Sequence, residues 1–272
     1  MPAPTPPLEA RPAWRHADAY ERYMGRWSRQ VAPPFLQGLA AAPGRRWLDV
    51  GCGTGALSAA ILARCAPAAV VGVDPSEGFL RLAREQLGER ARLECAAADA
   101  MPFLPDAAVD ITVSALMLNF APDAGAALAE MARVTAPGGQ VAAYVWDYTG
   151  RMDLIRLYWD AARELDPQVQ SQDTGARVAI CNPDALAALF AGAGLRDVRT
   201  QGIEIAMPFH DFDAYWQPFL GGQGPAPAHA MSLAEPARAA LRERLRSRLP
   251  TRPDGSIELR ARAWAVAGDV RG

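Results

Sequence analysis

The chain has 272 residues, half of them hydrophobic, which is enough for one large α/β domain with insertions around a sizeable core. Its formal net charge of −2 argues against a general nucleic-acid binder. All 28 basic residues are arginines, which excludes lysine Schiff-base chemistry and a Walker-type Gly-Lys-Ser/Thr loop.

Residues 1–13 are rich in proline and are expected to form a disordered tail. Met1-Pro2-Ala3-Pro4-Thr5-Pro6-Pro7 has neither the charged nor the apolar region of a secretion signal. The best apolar run is interrupted by Arg64 and Pro67, so no bilayer span is expected and a soluble, cytoplasmic protein is. Residues 14–42 read as a helical cap, with Trp14, Tyr20, Tyr23, Met24, Trp27, Val31, Phe35, Leu36 and Leu39 as a broken apolar stripe. Pro33-Pro34 is expected to split this cap into two helices. Pro43-Gly44 then turns the chain into the first strand of a core expected over 43–206 and 252–272.

That strand leads into Trp47-Leu48-Asp49-Val50-Gly51-Cys52-Gly53-Thr54-Gly55, and residues 56–63 read as a helix. A buried strand, a glycine turn and a helix make a nucleotide-binding βα unit. The glycines permit a tight turn and close approach of a ligand, and the first helical amides are unpaired and point at it. Gly51-x-Gly53-x-x-Ala56 also satisfies the loose dinucleotide fingerprint, which keeps an NAD-dependent oxidoreductase as an alternative.

The second strand, Ala69 to Val73, ends in Asp74, followed by Pro75-Ser76-Glu77 and a helix from Gly78 to Leu87. An acid there can accept from both hydroxyls of a ribose, or it can cap the next helix. The third strand, 91–96, ends in Ala97-Ala98-Asp99-Ala100-Met101-Pro102-Phe103. The fourth, Ile111 to Ser114, runs into Leu116-Met117-Leu118-Asn119-Phe120, at the strand end where open α/β sheets build sites. Asn119 is a candidate substrate contact or a helix cap. A helix from Ala124 to Val134 leads through a turn at Ala136-Pro137-Gly138-Gly139 to a fifth strand, Gln140 to Trp146.

Four stations in this order resemble the class I S-adenosylmethionine-dependent methyltransferases of small-molecule type, with a general likeness to the ubiquinone and menaquinone enzymes. They are Asp49-Val50-Gly51-Cys52-Gly53-Thr54-Gly55, Asp74, Asp99, and Arg133-Val134-x-x-Pro137-Gly138-Gly139. The resemblance implies a Rossmann-like, doubly wound, seven-stranded sheet whose last strand is antiparallel. It implies S-adenosylmethionine as cofactor and S-adenosylhomocysteine as product. The glycine loop with Asp49 would bind the cofactor, Asp74, Pro75 and Ser76 its ribose, Asp99 and Ala100 its adenine, and Ser114 and Leu116 would line its methionine end. Tyr20-Glu21-Arg22-Tyr23-Met24-Gly25-Arg26-Trp27 is similar to the family's N-terminal lid, so Tyr20, Met24, Arg26 and Trp27 are expected at the cofactor. Leu116-Met117-Leu118-Asn119-Phe120, where the family's fourth motif falls, lacks the Asn/Asp-Pro-Pro-Tyr/Phe form used on base and side-chain nitrogens, which points away from those targets.

Beyond Trp146 the chain departs from a minimal domain. Trp146-Asp147-Tyr148 ends the fifth strand, helices follow over Asp153 to Leu165 and from Asn182 to Gly192, and a sixth strand runs to about Ala206. Residues 207–251 are an aromatic-rich insertion, expected on the substrate side, before a last strand from Ser256 to Val266. Trp146, Tyr148, Tyr215 and Trp216 join Asn119 as candidate acceptor contacts, although Tyr215 and Trp216 can equally close the insertion's own core. His210 and Asp147 are the candidate bases, needed only if the acceptor must lose a proton. The arginines of the 232–249 helix read as a solvated face or, alternatively, an anion patch. Cys52, Cys65, Cys95 and Cys181 lack the spacing of a metal site, so none is expected. The reading is methyl transfer to a small, partly apolar or aromatic acceptor. A non-catalytic cofactor-binding partner or sensor is the alternative, and monomer and homodimer both remain open.

Overall fold

The computed structural model describes residues 21–169, 179–222 and 224–272. Seven strands form one sheet in the order β3-β2-β1-β4-β5-β7-β6. They are β1 (Arg46–Val50), β2 (Ala69–Asp74), β3 (Arg92–Cys95), β4 (Val109–Ala115), β5 (Thr135–Trp146), β6 (Arg196–Phe209) and β7 (Ile257–Asp269). The pairs among β1 to β5 are parallel, while β7 is antiparallel to both β5 and β6. The order reverses between β1 and β4, and that switch point is where a crevice opens at the strands' carboxyl ends.

Alternation along the central strands sends side chains to two cores, as a pleated strand requires. Trp47, Ala142, Tyr144 and Trp146 pack on one face with α1 (Arg26–Leu39), α2 (Ala56–Arg64), α3 (Glu77–Leu87) and α5 (Asp153–Leu165). Leu48, Val50, Val141, Ala143 and Val145 pack on the other with α4 (Ala124–Val134) and α6 (Pro183–Gly192). Asn182 caps α6 by accepting from the Ala185 amide, with Pro183 in its first turn. The insertion builds α7 (Phe212–Trp216), α8 (Pro225–Ser232) and α9 (Glu235–Arg248), and α9 lies against α5. No helix among the described residues is long and apolar enough to cross a membrane.

Three sequence expectations are corrected. Pro33-Pro34 does not split the cap, because α1 runs unbroken through both. The two prolines have no N–H to donate one turn back, toward Arg29 and Gln30, but those residues are exposed to water. The opposite stripe, Val31, Ala32, Phe35, Leu36 and Leu39, is buried and holds the helix in place. Ala136-Pro137-Gly138-Gly139 is the start of β5 rather than a turn before it. Gly138 has φ +73°, and a Cβ on Gly139 would lie 2.5 Å from the Asp110 carbonyl oxygen, so the segment bulges tightly against β4, where the register shifts. Finally, β6 continues to Phe209, paired with Ile257, so Met207 to Phe209 belong to a long hairpin and not to the insertion.

Candidate functional site

The loop after β1 is fixed to β2 by its own backbone. The Gly51 and Cys52 amides both donate to the Val73 carbonyl, at 2.8 and 2.9 Å. Gly51, Gly53 and Gly55 all have positive φ, but for different reasons. A Cβ on Gly51 would fall 2.4 Å from Met117 Cγ, and one on Gly55 would fall 2.9 Å from Leu87 Cδ1. A Cβ built on Gly53 would meet nothing within 4 Å among the described residues, so that side of the loop is open.

Two buried carboxylates flank the loop. Asp49 is fully buried, and its Oδ2 accepts from Ser58 Oγ at 2.7 Å while its Oδ1 has no partner. Burial pushes its pKa up to about 7 against the hydrogen bonds from Ser58. Asp74 accepts from the Gly53 amide at 3.0 Å and the Ser76 amide at 2.9 Å, and burial raises it to about 6. Ser76 in turn caps α3 through the Phe79 amide. Asp74 therefore ties the glycine loop to the next helix and stands at the end of β2, where a diol would bond.

The carboxyl end of β4 holds backbone strain and orphaned polar atoms. Leu116 has φ +58°, a left-handed conformation that costs a leucine energy and tends to mark functional sites. Ser114 is fully buried, with no partner for Oγ among the described residues. Asn119 is 5% exposed, and neither its amide oxygen nor its amide nitrogen has a partner among the described residues. On β5, the Trp146 indole N–H is buried and likewise unpaired. The register Asp49↔Val113 and Ser114↔Ala143 sets these groups at the ends of three adjacent strands. Buried polar atoms without partners are rare, which makes this grouping the candidate site.

Asp99 and Ala100 lie exposed on a tight turn closed by the Ala100 amide on the Ala97 carbonyl. A brace on α4 holds the segment that follows. Glu130 accepts from the Met101 amide at 2.7 Å, while Arg133 donates to the Leu104 carbonyl and to Asp106. Met101 is fully buried and packs in the core. The i, i+3 spacing of Glu130 and Arg133 accounts for their pairing with each other, but not for their reach to Met101 and Leu104.

Comparison with known proteins agrees with this geometry. The chain is 36% identical over 131 residues to the malonyl-[acyl-carrier protein] O-methyltransferase of Serratia marcescens, covering 46% of this chain and 50% of that one. It is 30% identical over 189 residues to an uncharacterised protein of Mycobacterium tuberculosis, covering 67% of each. A solved structure, the phosphoethanolamine N-methyltransferase 2 of Haemonchus contortus with phosphomonomethylethanolamine and S-adenosylhomocysteine, superposes with TM-score 0.56 at 15% identity, over 94% of this chain and 56% of that one. Residues 48–143 match the model of the methyltransferase domain. The chain belongs to the class I S-adenosylmethionine-dependent methyltransferases. It spans about half the length of the first curated enzyme that it matches.

The methyltransferase core presents an open side at Gly53, a buried carboxylate at Asp74 and, beyond β4, buried polar groups unpaired among the described residues. Cys52 and Thr54 are buried within the loop, and Pro75 follows Asp74 directly. Of the N-terminal residues, Tyr20 lies outside the described residues, Met24 and Trp27 are buried and Arg26 is half-buried.

The remaining expected residues are placed differently. Asp147 accepts from the Gly150 and Arg151 amides and from Arg262 at 2.6 Å, which makes it a brace between the ends of β5 and β7 rather than a free base. The His210 side chain is 83% exposed, with Nε2 3.2 Å from Asp211 Oδ2. Tyr215 and Trp216 are buried in an aromatic core with Phe209, Phe212 and Phe219, and the Tyr215 hydroxyl donates to the Leu154 carbonyl. Tyr148 is half-buried where the two cores meet. The sequence reading missed one buried pair, the Tyr158 hydroxyl 2.7 Å from His229 Nδ1, because the partners stand 71 residues apart without a motif.

Proposed function

We propose that this methyltransferase transfers the sulfonium methyl group of S-adenosylmethionine to a small, partly apolar acceptor. The observation that carries the reading is Asn119. Its buried amide, unpartnered among the described residues, lies just beyond β4, as does Met117, which packs against Gly51. An amide kept buried without partners costs stability, and an acceptor that both donates and accepts would repay it.

The cofactor supplies an activated methyl group; the chain supplies position. Asp74 accepts from the ribose hydroxyls in its ionised form, and the segment Ala97–Ala100 meets the adenine. The open face at Gly53 lets backbone approach the amino-acid end. Asn119 and Trp146 orient the acceptor at the ends of β4 and β5. The buried aromatic cap, with Trp27 against Phe209 and Tyr23 against Phe219, keeps water from that side. Alignment of the reacting groups is the main catalytic contribution. Asp147 and His210 are engaged as described, so an acceptor that needs no general base fits best.

The test is a screen of a metabolite extract for label from methyl-labelled S-adenosylmethionine. Label should enter a small-molecule fraction, and Asn119→Ala should lose transfer at least tenfold while S-adenosylhomocysteine affinity stays within about twofold. Tight cofactor binding with no acceptor labelled would instead support a non-catalytic binding protein.

A further inference from the structure

Arg26 and Trp27 open α1 with three buried N–H donors that have no acceptor among the described residues. They are Arg26 Nε, Arg26 Nη2 and Trp27 Nε1. The Arg26 guanidinium carbon lies 4.2 Å from the Trp27 ring centroid and 5.0 Å from that of Phe209. A guanidinium seated over two aromatic rings by cation–π attraction still has its N–H donors to offer an oxyanion. A half-buried charge with nothing to bond is otherwise a cost to the fold.

The placement separates this cation from the cofactor. Phe209 ends β6, four positions from β1 in the sheet, which is about 19 Å at the usual strand spacing. It pairs with Ile257, while Trp146 at the end of β5 pairs with Ala263, six residues lower on β7. The donors therefore stand above the acceptor end of the crevice, beside the aromatic cap, and away from the glycine loop and Asp74.

We propose that Arg26, with the Trp27 indole, binds an anionic group of the methyl acceptor, a carboxylate or a phosphate carried on an apolar body. The inference rests on the methyl-transfer reading and assigns Arg26 to the acceptor instead of to the cofactor, where the sequence reading put it.

Calorimetric titrations on the S-adenosylhomocysteine-saturated protein test it, with benzoate, phenyl phosphate and neutral benzamide as probes. Wild type should bind one of the two anions at least tenfold more tightly than benzamide, and the preferred anion tells carboxylate from phosphate. Arg26→Met should erase the preference and Arg26→Lys should keep part of it, with S-adenosylhomocysteine affinity within twofold throughout. If Arg26→Met does not fold, the wild-type preference and its reduction in Arg26→Lys decide. The proposal is overturned if neither anion binds saturably, if benzamide matches both, or if Arg26→Met keeps the preference. A tenfold loss of S-adenosylhomocysteine affinity in Arg26→Met also overturns it, by returning the guanidinium to the cofactor. Wild type that binds no S-adenosylhomocysteine would instead fail the methyl-transfer reading itself.

Discussion

Asp49 and Asp74 make the ligand-free protein sensitive to pH at two residues. Burial raises both carboxyls, to about 7 and about 6, above the ordinary aspartate value. The folded state therefore holds these protons longer than the unfolded chain. Their contribution to stability is complete below about pH 4 and is lost as pH rises through 6 and 7. Two units at Asp74 correspond to about 3 kcal/mol. Urea unfolding of the ligand-free protein should show stability falling from pH 4.5 to 7.5, with a smaller fall in Asp74→Asn; a flat profile would remove the burial argument. Asp110, held near 2 by Arg46, titrates below that window. Cofactor affinity should move the other way, weakening toward tenfold per unit below about pH 6, because a protonated Asp74 can no longer accept from two hydroxyls. Asn119 adds a second expectation at this scale. Asn119→Leu removes an unpaired buried amide and should raise unfolding stability by about 1–3 kcal/mol while abolishing methyl transfer. A destabilised Asn119→Leu protein would show that the amide bonds within the fold.

Among the elements, the cap and the insertion show packing overriding local preference. Helix α1 persists through two prolines because its buried stripe seals the sheet face that holds Tyr144 and Trp146. Pro34→Ala restores a backbone donor on the solvent side and should raise the melting temperature, with a gain of about 2 kcal/mol. No gain would mean that the missing bond was already replaced by water at no cost. Trp216, only 3% exposed and stacked near Phe219, belongs to the aromatic core that α7 shares with β6. Trp216→Ala should cost about 3–5 kcal/mol in chemical denaturation. A stable Trp216→Ala enzyme with a raised Michaelis constant would restore it to the acceptor. The arginines of α9 are largely spent on neighbours: Arg238 on Glu235, Arg242 on Asp213, Arg244 and Arg248 on Glu164, and Arg246 on Glu243. That network fits a solvated face.

At the scale of the molecule, the sheet and its glycine loop were legible because their chemistry is local. Glycines at 51, 53 and 55, an acid closing each of two strands and the apolar runs between them specify a βα unit within a few residues of chain. The extent of β6, the brace from Glu130 and Arg133 to Met101, and the fate of Asp147 were not legible. Each depends on a partner 29 to 115 residues away that no spacing announces. Arg26 shows the same limit from the other side. Its sequence neighbours suggested a lid over cofactor, while its place against Phe209 depends on how a hairpin 180 residues later is registered.

The central claim, that this crevice is built for S-adenosylmethionine with Asp74 as its ribose anchor, is tested most directly by calorimetric titration of S-adenosylhomocysteine and NAD into wild type and Asp74→Asn. S-adenosylhomocysteine should bind wild type and raise its melting temperature. Asp74→Asn should weaken that binding by about 10- to 100-fold through loss of charged hydrogen bonds, and NAD should not bind. Equal S-adenosylhomocysteine affinity in a folded Asp74→Asn protein, or preferential binding of NAD, would contradict the account.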